Sequence, residues 1–179
     1  MHKPQTDLRA VLLTGVFAAF IAIMAQVSIP MPLGVPLTLQ TFAVAMAGIL
    51  LGANQGFWAA LAYILLGAAG APVFAGFRGG VPCLLGPTGG FLLSFPLLAW
   101  LSGLGTKKSR FFMACGIAAG VFVNYACGLL LFAVVTKDGF ERAFLACAAP
   151  FLPLEAVKMV LAWVLGVRIR VKVGKILPS

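Results

Sequence analysis

The sequence of 179 residues contains few charged side chains, and the acidic ones are the rarest. Asp and Glu together number 4, charged residues of both signs make up 9%, and hydrophobic residues make up 62%. Soluble domains usually hold about 25% charged and about 45–50% apolar residues. The composition therefore excludes an ordinary soluble domain and indicates a membrane protein. A transmembrane helix needs about 20 apolar residues, so a few such helices leave no room for a soluble catalytic domain.

Histidine is also scarce, since His2 is the only one, and the four cysteines form no Cys-x-x-Cys pair. A metal site of the usual spacing is therefore not expected, and no set of nucleophile and base supports an enzyme. The cysteines are predicted to be small buried hydrophobic residues, with a disulfide between Cys83 and Cys147 left open. Because no Gly-x-x-x-x-Gly-Lys-Ser/Thr phosphate loop is present, we expect neither an ATP site nor a cofactor in this chain.

The 13 basic residues give a formal net charge of +9, but they lie between apolar runs and do not cluster on a soluble face. A nucleic-acid partner is therefore not expected. Cytoplasmic segments of membrane proteins are enriched in Lys and Arg, so we place both termini in the cytoplasm. The basic residues that then lie inside are Lys3, Arg9, Lys107, Lys108, Arg110, Arg168, Arg170, Lys172 and Lys175.

Proline, glycine and charged residues divide the apolar sequence into six predicted transmembrane helices. We therefore expect an all-α, multi-pass fold that forms one transmembrane domain over residues 1–179. The approximate bounds of the predicted helices are 8–27, 38–53, 55–71, 88–104, 110–135 and 151–170.

Two of the connecting segments, residues 28–37 and 72–90, are rich in proline or glycine and yet strongly apolar. Irregular backbone cannot face lipid, because its polar groups would stay unpaired there. The two segments join helices 1 to 2 and 3 to 4, so they lie on the same side of the membrane, which the charge pattern makes the outside. We expect these extracellular loops to cap a ligand pocket.

The strongest local signal is the pair Glu155 and Lys158 in the last predicted helix. Residues three positions apart share one helical face. Charges inside a membrane span usually face a cavity or each other. The pair is interpreted as a clamp for a polar ligand, in which a carboxylate accepts N–H groups and an ammonium meets an oxygen. A purely structural ion pair, or a Lys158 side chain that extends to the membrane surface, stays open.

A second group of candidates lies in the long loop before the fourth helix. Arg78 is the only charge in residues 72–90 and is predicted either to meet an anionic ligand group or to be solvated. The turn that contains Gly86, Thr88 and Gly89 leads into a helix whose first N–H groups lack helical partners. These groups are candidate donors to a ligand, although Thr88 has the ordinary alternative of capping the helix.

Two isolated polar residues and a pair of small residues stand out within the helices. Gln40 and Asn124 are each predicted to form interhelical hydrogen bonds, and they are second-rank ligand candidates because both fall near the outer end. On the first helix, Ala18 and Ala22 are four positions apart. Small residues at that spacing let another helix approach closely, either from the same chain or from a partner.

Taken in order, several segments resemble the BioY family, the biotin-specific substrate-binding components of energy-coupling factor transporters. The matching segments span most of the chain and lie at 29–32, 35–41, 63–67, 70–76, 84–91 and 153–158. Two positions depart from the family pattern. Leu154 and Glu155 stand where Gly-Asp usually precedes the lysine, so the acidic side chain is one methylene longer, and Phe91 stands where tyrosine is frequent.

The resemblance implies a six-helix subunit of the prokaryotic cytoplasmic membrane whose outer loops close over biotin. It also implies a separate transmembrane coupling subunit and two ATPase subunits as partners, with Ala18 and Ala22 docking on the coupling subunit. An alternative from another class is a stand-alone carrier for biotin or a related small organic anion. In such a carrier Glu155 would bind the coupled proton.

Biotin offers an apolar thioether ring, an alkyl tail ending in a carboxylate, and a ureido group with N–H donors and a carbonyl. For this implied ligand, Glu155 is expected to accept the ureido N–H groups and Lys158 to donate to a ligand oxygen. Arg78 or the turn at 86–90 is expected to bind the carboxylate, and the reverse orientation stays open.

Overall fold

The computed structural model describes residues 8–31, 35–137 and 139–173, and nine α-helices lie in these ranges. The helices are α1 (Leu8–Gln26), α2 (Gln40–Leu51), α3 (Ala53–Ala68), α4 (Val81–Leu85), α5 (Gly89–Leu93), α6 (Phe95–Leu104), α7 (Arg110–Thr136), α8 (Phe140–Cys147) and α9 (Leu152–Val173). A 3-10 turn at Gly105–Lys107 precedes α7, and the short strands β1 (Ser28–Ile29) and β2 (Leu37–Thr38) join α1 to α2. The described chain is thus mostly helical, as predicted.

Five of the six predicted helices lie close to their expected bounds, as α1, α2, α3, α7 and α9. The prediction of one continuous helix at 88–104 is wrong, because Ser94 separates α5 from α6. Pro96 has no N–H to donate to the carbonyl of Leu92, so the helical hydrogen-bond ladder is interrupted there. The hydroxyl of Ser94 lies 2.8 Å from the carbonyl oxygen of Gly90 and is its donor.

Two helices, α1 and α7, are long and apolar enough to cross a membrane by length and composition. The apolar helices α2 and α6 are shorter, with 12 and 10 residues. Helix α9 has 22 residues, but it carries the charged Glu155, Lys158 and Arg168. Length and composition therefore identify two candidate spans in the described residues.

Helix α2 lies at the centre of the bundle and packs against α1, α3, α6 and α9. The close approach of these helices depends on glycine. A Cβ atom on Gly48 would meet the backbone of Ala99 in α6, and one on Gly56 in α3 would meet Gly48 itself. A Cβ on Gly103 would likewise meet the backbone of Ala53. Because no side chains separate these helices, their backbones are in direct contact.

The two apolar connecting segments fold onto the helices, as the argument from unpaired backbone predicts. Strands β1 and β2 pair in an antiparallel register, with Ser28 opposite Thr38. In the second segment the backbones of Phe74 and Arg78 pair with each other, and the Gly80 N–H donates to the carbonyl of Gly67 at 2.7 Å. The two helices that the sequence did not predict, α4 and α8, are short and lie in segments expected to be loops.

Candidate ligand-binding site

A cavity of about 330 Å³ lies at one end of the bundle, within the range of about 300–1,000 Å³ found for small-molecule sites. Both apolar connecting segments contribute to its wall, which the prediction of capping loops anticipated. The parts of the chain that line it are the segment 35–41, the loop and short helices at 74–95, the middle of α7, the end of α8 and the first turns of α9.

The predicted pair Glu155 and Lys158 is in this wall, and both side chains are buried, at 3% and 6% exposure. The Lys158 Nζ lies 2.5 Å from Glu155 Oε2. It also donates to the carbonyl oxygen of Thr38 at 3.0 Å and to Thr41 Oγ1 at 2.8 Å. An ammonium has three N–H donors, so these three contacts use all the donors of Lys158. Lys158 therefore holds the Glu155 carboxylate in position.

The second carboxylate oxygen of Glu155 is different, because Oε1 is buried and has no hydrogen-bond partner in the described chain. A buried acceptor without a partner costs roughly 1–3 kcal/mol or more. Glu155 therefore retains an unused acceptor atom in the described chain, whereas the donors of Lys158 are all used.

Asn124 presents a second acceptor of the same kind. Its side chain is fully buried and lines the cavity. The Nδ2 group donates to the carbonyl oxygen of Phe91 and to Ser94 Oγ, both at 2.8 Å. These are the interhelical bonds that the sequence predicts, and they leave Oδ1 buried without a partner in the described residues.

Tyr125 is a site residue that the sequence reasoning missed. Its hydroxyl donates to Glu155 Oε2 at 3.4 Å. Its ring packs edge-on against Phe91, with 5.7 Å between ring centroids and an interplanar angle of 90°. The sequence signal that could have indicated Tyr125 is the scarcity of tyrosine, since Tyr63 is the only other one. Tyr63 also contributes hydrogen bonds to the cavity wall.

Gln40 lines the cavity, but both ends of its amide are already used. Its Nε2 donates to the Tyr63 hydroxyl at 2.6 Å, and its Oε1 accepts from the Thr38 hydroxyl at 3.0 Å. The Tyr63 hydroxyl in turn donates to the carbonyl of Val73 at 3.2 Å. This network ties β2, α2 and α3 to the second loop, so Gln40 holds the wall together.

Gln26, at the end of α1, attaches that loop to the bundle from the other side. Its Nε2 lies 3.2 Å from the carbonyl oxygens of Val73 and Phe74, and its Oε1 accepts from the Phe77 N–H at 3.0 Å. Phe77 has a φ angle of 55°, in the left-handed region that non-glycine residues rarely adopt. The sequence contained no signal for this attachment, because the partner atoms belong to the backbone.

The remaining loop candidates are placed in different ways. Arg78 is exposed and lines the cavity, so it stands at the rim. Gly86 and Thr88 also line the cavity, and Thr88 makes no side-chain capping bond to α5. Gly89 is not part of the wall. Its N–H donates to the Gly86 carbonyl at 2.9 Å, and a Cβ there would meet the Leu84 backbone, so the structure gives Gly89 a packing role.

Ala18 and Ala22, the small pair of α1, both contact the interior of the bundle. Ala18 is 2% exposed, within the main hydrophobic core, and Ala22 packs partly buried against that core. Their role in docking a partner stays a prediction. Cys83 and Cys147 both line the cavity, and both are free thiols in this structure.

The model of the BioY family matches residues 1–175. The chain belongs to the BioY family. The protein called "Probable biotin transporter BioY" from Pyrococcus horikoshii is 39% identical to it over 90% of this chain and 96% of that protein. The "Biotin transporter BioY" of Thermotoga maritima is 37% identical over 91% of this chain and 96% of that protein.

The BioY fold is also present among solved structures. A crystal structure of the S-component for biotin from an ECF-type ABC transporter matches this chain with a TM-score of 0.83 and 25% identity. The match covers 95% of each chain. The helical fold predicted from the BioY resemblance is therefore confirmed, together with the family itself.

Proposed function

We propose that this chain captures biotin for uptake across the membrane, as the S component of an ATP-driven energy-coupling factor transporter. The observation that carries the proposal is the pair of unpartnered buried acceptors in one cavity wall, Glu155 Oε1 and Asn124 Oδ1. The ureido group of biotin carries N–H donors on both sides of its carbonyl. These two residues of the wall thus have one unused acceptor for each of the two N–H donors.

The rest of the wall suits the rest of biotin. The rings of Phe91, Phe95 and Phe151 line the cavity and provide apolar contact for the thioether ring and alkyl tail. Arg78 at the rim is the cation available for the carboxylate. We propose that the ureido group lies deep beside Glu155 and that the carboxylate points to the rim.

We further propose that the chain crosses the cytoplasmic membrane six times, through α1, α2, α3, the broken pair α5 and α6, α7, and α9. The cavity then opens to the outside, and both termini lie in the cytoplasm. The support is the charge distribution, because Arg110, Arg168 and Lys172 lie at helix ends far from the cavity. Lys3 and Lys175, which contribute to the sequence argument, lie outside the described residues.

Energy for uptake is proposed to come from partners: a transmembrane coupling subunit and two ATPase subunits. The chain has no phosphate-loop motif of its own. Ala22, which is only partly buried, is the more accessible residue of the proposed docking pair.

The purified chain tests this function. Mass spectrometry of the small molecule that co-purifies from biotin-replete cells should identify biotin. Binding assays should show that unlabelled biotin displaces radiolabelled biotin, whereas lipoate, which shares the acyl tail but lacks the ureido group, does not. Absence of biotin from the purified protein, together with no measurable binding, contradicts the proposal.

A second candidate is a stand-alone proton-coupled carrier, which the buried carboxylate of Glu155 favours. Vesicles that contain only this chain separate the two functions. Binding of biotin without accumulation supports the S component. Accumulation that follows an imposed proton gradient supports the carrier.

Replacing Gln26 with alanine is expected to speed biotin dissociation about 2- to 10-fold, because the loop at 73–77 loses its bonds to α1. Each such hydrogen bond is worth about 0.5–1.5 kcal/mol. The dissociation rate of radiolabelled biotin measures the effect. The Gln55→Ala variant is the control, since Gln55 lies near the start of α3 and outside the cavity wall. An unchanged dissociation rate in Gln26→Ala would show that the loop is held by other contacts.

A further inference from the structure

A basic groove lies between the start of α7 and the last turns of α9, away from the ligand cavity. Its volume is about 530 Å³. The cations that line it are Arg110, Arg168 and Lys172, and no acidic residue of the described chain is in its wall. All three are exposed. The groove thus offers concentrated positive charge without a protein counter-ion in the described residues.

An apolar groove of about 350 Å³ continues between the same two helices. Its wall is formed mainly by small and branched apolar residues, including Ala118, Val121 and Ala156, and Glu155 is its one charged member among the residues that the structure describes. Trp163 lines both grooves. Its Nε1 donates to the carbonyl oxygen of Arg110 at 3.1 Å, which fixes the ring where the basic part meets the apolar part.

The position of the basic groove along α9 follows from helix geometry. Arg168 and Lys172 are 10 and 14 residues beyond Lys158 in the same helix. At about 1.5 Å per residue they lie roughly 15 to 20 Å from the cavity wall along the axis. In the proposed orientation, on which this step rests, the groove is at the cytoplasmic surface and the apolar groove runs into the bilayer.

We propose that these two grooves form one binding site for an anionic phospholipid of the inner leaflet. The phosphate of the headgroup pairs with Arg110, Arg168 and Lys172, because basic pockets between helices at the cytoplasmic side recognise anionic headgroups. One acyl chain lies along the apolar groove between α7 and α9. Trp163 stands at the boundary between headgroup and chain, the depth at which tryptophan is enriched in membrane proteins.

Native mass spectrometry of the full chain, released from micelles that contain equal amounts of phosphatidylglycerol and phosphatidylcholine, tests the headgroup contact. The parent protein should retain phosphatidylglycerol in at least a fivefold excess. The variant Arg168→Ala with Lys172→Ala should lose that preference. The matched control removes two positive charges elsewhere, as Lys108→Ala with Lys137→Asn, in which asparagine suits the left-handed backbone of position 137. The control should keep the preference.

The acyl contact needs its own variant. Ala118→Phe fills the apolar groove, whereas Ala119→Phe places the same ring on the exposed surface of α7 outside it. Retention of phosphatidylglycerol should fall several-fold in the first variant and stay unchanged in the second. Biotin binding by each variant reports whether the protein is folded.

Three results would overturn the proposal. The first is equal retention of the two lipids by the parent protein. The second is an equal loss of preference in the matched charge control, which would indicate general electrostatic attraction. The third is complete displacement of the lipid by millimolar inorganic phosphate, which would indicate a site for free phosphate and not for a phospholipid.

Discussion

Replacing Glu155 with alanine is expected to weaken biotin binding by about 10- to 150-fold. The variant removes the buried acceptor Oε1 and also leaves the Lys158 ammonium buried without its carboxylate. Loss of a hydrogen bond to a charged group costs roughly 1.5–3 kcal/mol. Equilibrium binding of radiolabelled biotin to the purified chain, compared with the parent protein, measures the change.

The matched control is Glu141→Ala. Glu141 is the only other acidic residue that the described ranges contain, and it is exposed on α8 outside the cavity wall. Its replacement should leave biotin affinity unchanged. If the Glu155→Ala variant binds biotin with the affinity of the parent protein, Glu155 does not contact the ligand, whatever the control shows.

A double variant separates ligand binding from folding. Breaking one half of a buried ion pair is usually far more destabilising than replacing both partners by apolar residues. Glu155→Leu with Lys158→Met should therefore be more stable than Lys158→Met alone in a thermal melt, and yet bind biotin weakly. Strong binding by the double variant would show that neither charge contacts the ligand.

Replacing Gly48 with alanine is expected to destabilise the folded protein by about 3 kcal/mol, at the upper end for overpacked cores. A Cβ at this position would meet the backbone carbonyl group of Ala99 in α6. Because these are backbone atoms, no side-chain rotation can make room. α2 must then move away from α6, and the central contact of the bundle is lost.

Thermal unfolding in detergent, followed by circular dichroism, measures this effect as a lower melting temperature. Gly15→Ala is the matched control, because Gly15 also lies inside an apolar helix and has no atom within 4 Å of an added Cβ. Alanine is the better helix former, so the control should melt at the parent temperature or slightly above it. A melting temperature for Gly48→Ala equal to that of the control would show that the contact between α2 and α6 does not contribute to the stability of the fold.

Most helix bounds and the two loops of the cavity wall were predictable from two requirements of the membrane. A helix that crosses lipid needs a long apolar run, and irregular backbone cannot face lipid because its polar groups would stay unpaired. Glu155 and Lys158 were predictable for the same reason, since charges inside an apolar helix need partners. The break at Ser94 was missed because Pro96 is tolerated in the first turn of a helix as well as in a kink.

The supports of the site were harder to predict than its central pair. Gln26 bonds to backbone atoms of Val73, Phe74 and Phe77, and no side-chain pattern in the sequence marks such partners. Tyr125 lies 30 residues from Glu155, and only the packing of α7 against α9 makes them neighbours. Contacts that depend on how helices cross are not encoded in the periodicity of any one helix.

Glu155 lines the ligand cavity and also the apolar groove between α7 and α9. If the chain lies in the membrane as proposed, one side chain separates the cavity for a water-soluble nutrient from the hydrocarbon of the bilayer at this point. Tyr125 and Lys158 hold that side chain in place. An alanine at 155 would open the cavity sideways, so that acyl chains or detergent tails would compete with the vitamin for the same space.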